Sequence, residues 1–140
     1  MNSLRLLQLL LALIAAFHLV MGGGIMTSHG FQKAMVDLYG AQVLWTPQFI
    51  YAARIIGSFA FVIGIMAVLA AFDPLRNAAI VWGIVALFVI RDLHRLVFAA
   101  EIEHAFALPA RMNLLTNLFF LAQSVLLAGL LLHAQKRSKG

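Results

Sequence analysis

The chain contains no cysteine and few charged residues. Without cysteine it forms no disulfide, no thiolate metal site and no cysteine nucleophile, so any redox chemistry would need a bound cofactor. Only 11% of the residues are charged and 64% are hydrophobic, whereas soluble domains have about 45–50% apolar residues. The mean hydropathy is +0.98. These values exclude an ordinary soluble domain and predict an integral membrane protein.

The formal net charge of +5 does not indicate a nucleic-acid-binding protein. Its basic residues form no single patch, because three lie in the C-terminal segment 136–139 and three lie within apolar segments. We therefore expect membrane lipid, and not nucleic acid, as a partner.

Four apolar segments each approach or exceed the ~20 residues that an α-helix needs to cross the hydrocarbon core. They cover approximately residues 4–26, 47–72, 75–100 and 112–133. The sequence therefore predicts an all-α fold, with residues 1–140 forming a single transmembrane domain that is a four-helix bundle. A cleaved signal peptide is a competing interpretation of the first segment, but that segment is long for one and lacks a clear small-x-small cleavage site.

The longest connection, residues 27–47, has a helical pattern of its own. Apolar residues recur there at helical spacing while polar residues take other directions. The apolar positions are Phe31, Met35, Leu38 and Tyr39, and the polar ones are Gln32, Lys33 and Asp37. This pattern predicts a short interfacial helix between spans one and two.

Two dipeptides mark where spans begin. Thr46-Pro47 and Asp73-Pro74 each place a capping side chain before a proline that suits the first helical position. The second dipeptide leaves room only for a tight turn, so spans two and three should be antiparallel neighbours. Four crossings place both termini on one side of the membrane.

The lysine and arginine residues near the span ends predict the orientation. Five lie on the side of the termini and two on the opposite side. The five are Arg5, Arg76, Lys136, Arg137 and Lys139, and the two are Lys33 and Arg111. We therefore expect both termini in the cytoplasm.

Polar side chains of all four spans lie at about one depth if each helical residue adds about 1.5 Å. With cytoplasmic termini, that depth falls in the outer half of the bundle. The candidate ligand-binding residues are His18, Arg54, Arg91, Asp92, His94, Arg95 and Asn117. Asn113 reaches a similar depth, one turn before Asn117.

The densest polar segment is residues 91–95. A charged side chain at the centre of a membrane helix costs about 2.5–3.5 kcal/mol on insertion scales, so these residues should face the interior, pair or reach the interface. Asp92 and Arg95 are spaced to pair along the helix. Arg54 and Arg91 then compete for too few carboxylates. An anionic or carbonyl-bearing ligand, a lipid headgroup, Glu101 and Glu103, or a partner chain would relieve the excess positive charge.

Three interpretations of this cluster remain open. The arginines can simply extend to the interface, they can line a ligand pocket, or they can dock against another membrane subunit. We predict no metal site, although Glu101, Glu103 and His104 are close in sequence, because no H-x-x-x-H or E-x-x-H pair occurs.

Small residues form a stripe along the second span at Ala53, Gly57 and Gly64. Such a stripe lets two helices approach closely. We expect it to pack within the bundle; a dimer interface is the alternative.

Several segments resemble those of the small BphX-like membrane proteins and, more distantly, the DoxX-like four-helix group. They are the four spans, Pro47-Gln48-Phe49 leading to Arg54 and Gly57, and the run from Arg91 to Phe98. The resemblance covers nearly the whole chain. It implies a bacterial inner-membrane protein linked to the degradation of aromatic compounds, and it carries no catalytic residues over to this chain.

Together these patterns favour an accessory, non-catalytic membrane protein that binds a small amphipathic molecule, a lipid or a quinone-like ligand in the outer half of the bundle. One alternative is an auxiliary subunit packed against a larger membrane enzyme or pigment complex, or a homo-oligomer. A second is a membrane-embedded isomerase or redox enzyme in which His94 or Glu101 acts as acid or base. The cofactor, if there is one, stays open.

Overall fold

The computed structural model describes residues 3–138, with side chains as far as Arg137. Within that range every regular element is an α-helix, which confirms the all-α prediction. The helices are α1 Ser3–Thr27, α2 His29–Tyr39, α3 Pro47–Phe72, α4 Ala78–Val97, α5 Ala99–Ala105 and α6 Ala110–Ser138. Lys139, which the orientation prediction used, lies outside the described residues.

Among residues 3–138, three helices are long and apolar enough to cross a membrane: α1, α3 and the part of α6 from Ala110 to Arg137. Such helices are typical of a membrane-embedded protein. The remaining long helix, α4, has 20 residues and carries the charged residues Arg91, Asp92 and Arg95 near its C-terminal end. The predicted third span therefore corresponds to α4, the long helix that is not among these three.

The two capping predictions have different outcomes. Thr46 caps α3 as predicted, with its hydroxyl oxygen accepting a hydrogen bond from the Phe49 backbone N–H (3.1 Å), and Pro47 begins the helix. Asp73 also caps as predicted, since its Oδ1 accepts a hydrogen bond from the Arg76 N–H (3.1 Å), but the residues it caps, 74–77, form a turn, and α4 begins only at Ala78. Asn77 holds this turn, because its side-chain amide donates to the carbonyls of Leu69 and Asp73. Pro74 thus precedes α4 instead of lying in its first turn.

α1 and α3 are antiparallel and make the most extensive contact between two helices. Their backbones meet at glycines: a Cβ at Gly57 would lie 2.7 Å from the Met26 backbone nitrogen, and one at Gly64 would lie 2.8 Å from the backbone nitrogen of Leu19. A Cβ at Gly22 would lie closer still to the Phe61 backbone nitrogen. The prediction that Gly57 and Gly64 pack within the protein is confirmed.

α4 and α6 form the second antiparallel pair, and α6 also packs on α1. The core between these helices is aliphatic over most of its length. Its largest fully buried side chains include Leu7, Leu11, Val81, Phe88, Leu127 and Leu131. Towards the start of α6 the core becomes aromatic and then polar, and the candidate site begins there.

Candidate functional site

The last turns of α4 direct its polar residues to different sides. Asp92 is buried and Arg91 and Arg95 are half-buried, whereas Leu93 and His94 are exposed. The helix continues to Val97, where the Phe98 N–H donates to the His94 carbonyl (3.0 Å). The three charged side chains of Arg91, Asp92 and Arg95 therefore point towards the neighbouring helices. Charged residues in membrane helices are expected to face the interior in this way.

The carboxylate of Asp92 pairs with the adjacent arginine. Nη1 of Arg91 donates to Oδ1 of Asp92 at 3.2 Å. The other carboxylate oxygen, Oδ2, is buried and accepts no hydrogen bond from the described residues. The predicted pair of Asp92 with Arg95 is wrong, because Arg91 takes the carboxylate.

Arg95 instead bonds across to α6. Its Nε donates to Oδ1 of Asn113 (2.9 Å), and Nδ2 of Asn113 donates to Oε1 of Glu103 (2.9 Å). An amide accepts and donates at the same time, so Asn113 connects a cation to a carboxylate that lies on α5. We call Arg95, Asn113 and Glu103 the amide relay. It joins α4, α5 and α6 at one end of the protein.

Arg91 also contacts an aromatic cluster. Its guanidinium carbon lies 3.7 Å from the centre of the Phe120 ring, the geometry of a cation–π interaction. Phe120 packs edge-on against Phe88, and the His18 ring stacks on Phe88 with 5.5 Å between centres. Nδ1 of His18 donates to the Ile14 carbonyl (2.9 Å). His18 is therefore a buried, hydrogen-bonded member of an aromatic core.

Two cavities adjoin these groups. The first, of about 480 Å³, lies under α2 and is called the α2 cavity. Its lining includes Met35, Tyr39, Phe49, His94, Arg95 and Phe106. The second, of about 370 Å³, is the histidine cavity, and its lining includes His18, Met21, Tyr39, Phe59, Arg91 and Phe120. Tyr39 lines both, so the two cavities adjoin at the C-terminal end of α2.

A short connection between the ends of α2 and α5 borders the α2 cavity. Gly40 ends α2 in the left-handed conformation (φ 65°), and its N–H returns to the Asp37 carbonyl (3.0 Å). The Gln42 N–H then donates to the carbonyl of Phe106, just after α5. This bond ties the two sides of the cavity rim together.

The predicted site residues fall into three groups. Arg91, Asp92, Arg95 and Asn117 lie at the contact between α4 and α6. His18 shares the histidine cavity with Arg91, and His94 lines the α2 cavity from an exposed position. Arg54 is exposed on α3 and lines neither cavity, so the structure does not bring it to the others.

The sequence missed how α2 faces the protein. The helix itself is confirmed, but Gln32, predicted to point away from the apolar face, is 3% exposed, and Leu38, predicted to lie on that face, is 67% exposed. Gln32 is buried because its amide donates to the Ile25 carbonyl (2.8 Å) and its oxygen lies 3.2 Å from Nδ1 of His29. Consequently Tyr39 turns towards the two cavities.

The sequence did not indicate Tyr39 as a site residue, and it placed Glu103 and Asn113 near the polar cluster without including them among the candidate ligand-binding residues. The sequence signal for Asn113 is its position at a similar depth, one helical turn before Asn117.

No known protein family matches this chain, and no characterised protein or solved structure matches it.

Proposed function

We propose that this chain is a four-span bundle of the bacterial inner membrane, with both termini in the cytoplasm, and that its α2 cavity binds a small amphipathic molecule. The spans are α1, α3, α4 and α6. The bacterial origin, and a link to aromatic-compound metabolism, rest on the resemblance to the BphX-like proteins.

The length of α4 and the directions of its charged side chains support its role as the third of the four spans. Its 20 residues extend about 30 Å, the thickness of the hydrocarbon core. Its three charged side chains point to neighbouring helices and lie at the end nearest α2 and α5. The cost of placing them in a span is reduced by this pairing and by their closeness to one end.

The absence of native cysteine makes the topology directly testable. We expect Lys33→Cys and Arg111→Cys to react with a membrane-impermeant maleimide in intact spheroplasts. Arg76→Cys and Arg137→Cys should react only after permeabilisation. All four positions are exposed. Equal labelling at Arg76 and Arg111 from one side would show that α4 does not cross, and labelling of Arg76 from outside would invert the topology.

The α2 cavity is the observation that carries the ligand proposal. Its volume of about 480 Å³ lies within the range of roughly 300–1,000 Å³ that is typical of small-molecule sites. Aliphatic and aromatic side chains form most of the lining, and Arg95 and His94 supply the polar contribution from α4. Tyr39 also lines the cavity.

This lining favours an apolar or aromatic body with an anionic or carbonyl-bearing head. The guanidinium of Arg95 has five N–H donors, of which Nε is used by Asn113, so the remaining donors are available to a carboxylate or carbonyl oxygen. Phe49 and Phe106 provide the aromatic surface for the body, with 6.5 Å between their ring centres. A quinone-like molecule and an aromatic carboxylate both meet this description.

Arg95→Met is expected to weaken binding of 4-hexylbenzoate at least tenfold, which is about 1.4 kcal/mol. Methionine retains an apolar stem but loses the donors that contact the carboxylate. The measurement is the fraction of chain that retains the probe in native mass spectrometry, over a concentration series in mild detergent. Binding of 4-hexyltoluene, which has no head group, should change less than twofold.

Arg91→Met is the matched control, because it removes the same charge from the same helix but lies outside the α2 cavity. It should leave 4-hexylbenzoate binding within about twofold of the original. Equal losses in both variants would mean that net charge, and not the cavity, attracts the probe. Equal binding of the two probes to the unchanged protein would also refute the proposal.

A docked partner subunit is the second candidate, and Arg54 favours it. This arginine is exposed on α3 between exposed Tyr51 and Ile55, and it has no ion pair among the described residues. A partner subunit with a carboxylate at this position would form an ion pair with Arg54. A folded chain that elutes alone after extraction from its native membrane would exclude this candidate.

The enzyme alternative has less support from the geometry. His94 lines the α2 cavity, but Glu101 is exposed and does not, so no acid–base pair is formed by these two residues. A general acid or base needs a partner within hydrogen-bond reach of the reacting atom.

A further inference from the structure

A groove between α4 and α6 is distinct from the two cavities described above. Its volume is about 260 Å³, and we call it the α4/α6 groove. Six of its lining residues are aliphatic: Val89, Leu93, Leu96, Leu114, Leu118 and Leu121. Leu93, Leu96, Leu114 and Leu118 are each more than half exposed, so the groove opens towards the outside of the bundle. In the proposed four-span arrangement that side faces lipid.

Two polar side chains, Asp92 and Asn117, line this otherwise apolar groove. Asp92 is 5% exposed and Asn117 is 6% exposed. Oδ2 of Asp92 and Oδ1 of Asn117 are buried, and neither accepts a hydrogen bond from the described residues. Buried polar atoms in native proteins nearly always have a partner. Because both atoms are acceptors, they cannot satisfy each other.

The missing group is therefore a hydrogen-bond donor. Asp92 is already paired with Arg91 through its other oxygen, so its charge is balanced without a further cation. A neutral hydroxyl donates a hydrogen bond without adding charge and is less costly to bury than an ammonium group. The groove is also several times larger than the ~30 Å³ share of a single water molecule, and its leucines suit a hydrocarbon chain.

We propose that the α4/α6 groove binds a membrane amphiphile with a neutral hydroxyl head, such as a long-chain alcohol or a hydroxyl-bearing lipid. The hydroxyl donates its one hydrogen to Oδ1 of Asn117, close to the Asp92 carboxylate, and the chain lies along the leucines. The groove offers hydrogen-bond acceptors to its ligand, whereas the α2 cavity offers the hydrogen-bond donors of Arg95. The groove is therefore a second site for a different class of ligand.

The test uses photoreactive 1-dodecanol, with a diazirine in its chain, and the methyl ether of the same molecule. The full chain is placed in lipid nanodiscs and irradiated with each probe, and labelled peptides are located by mass spectrometry. We expect the alcohol to label the peptides with Leu93, Leu96, Leu114 or Leu118 at least tenfold more than the ether does. The ether keeps the apolar chain but has no donor.

Asn117→Leu should reduce alcohol labelling in the groove to the level of the ether. Gln123→Leu is the matched control, because Gln123 is also an α6 amide with a buried, unpartnered oxygen but does not line the groove. That control should stay within twofold of the unchanged chain. Asp92→Asn provides a second variant with the original side-chain size, and because it retains an oxygen acceptor it should lower labelling less than Asn117→Leu does.

Three results would overturn the proposal. Equal labelling by alcohol and ether would mean that the groove is only an apolar surface, with water on its oxygens. Alcohol labelling that is concentrated on peptides outside the groove would show that the groove is not the binding site. Stronger groove labelling by the corresponding dodecylammonium probe would make the ligand head a cation.

Discussion

Gly22→Ala is expected to destabilise the protein by about 3 kcal/mol, the upper part of the range for overpacked sites. The added Cβ would meet the backbone of α3 at Phe61, and it would lie 2.7 Å from the carbonyl oxygen of Gly57. A backbone atom cannot move aside by changing rotamer, so α1 and α3 must separate. Their separation would loosen the most extensive helix contact of the fold. Unfolding in mild detergent, followed by circular dichroism, measures the effect.

Gly83→Ala and Gly129→Ala are the matched controls for this prediction. A Cβ at either position has no neighbour within 4 Å, so the same substitution meets open space on α4 and α6. Alanine also has the higher helix propensity, by up to about 1 kcal/mol in water. We expect both controls to keep or slightly raise stability. If Gly22→Ala behaves as they do, α1 and α3 are not in close backbone contact.

The sequence was most informative about where apolar helices begin and end. α3 covers residues 47–72 as predicted, because a capping threonine and a proline mark its start and Asp73 follows its end. α6 continues to Ser138, five residues beyond the predicted 133. Its last turn contains Lys136 and Arg137, and cations there interact favourably with the helix dipole. The basic residues predicted to follow the fourth span, Lys136 and Arg137, are therefore part of α6.

The sequence was less informative about how each helix is rotated around its axis. The spacing of residues gives depth, which placed Arg54 and Arg91 together, but it does not say which neighbour each one faces. Arg54 is exposed, whereas Arg91 lies over the Phe120 ring. The same limit applies to pairing. Asp92 and Arg95 are suitably spaced on one helix, yet the crossing of α4 and α6 brings Asn113 to Arg95 first.

The two buried asparagines of α6 are expected to respond oppositely to the same substitution. Asn113→Leu should destabilise the protein by about 3 kcal/mol, because it removes an acceptor from the Arg95 guanidinium and a donor from Glu103. Asn117→Leu should keep or raise stability when no ligand is bound, because its side chain makes no hydrogen bond within the described residues. A leucine of similar size then removes an unsatisfied polar group. Equilibrium unfolding in detergent gives both values.

Glu103→Gln distinguishes the amide relay from simple packing at Asn113. Glutamine can still accept from Nδ2 of Asn113 through its own oxygen, so only the charge is lost and we expect a cost of about 1 kcal/mol. Asn113→Leu should therefore be clearly the more damaging of the two. If both asparagine variants lose similar stability, the loss comes from disturbed packing along α6. In that case Asn113 does not connect Arg95 to Glu103, and the rim of the α2 cavity is held by other contacts, such as the bond from Gln42 to Phe106.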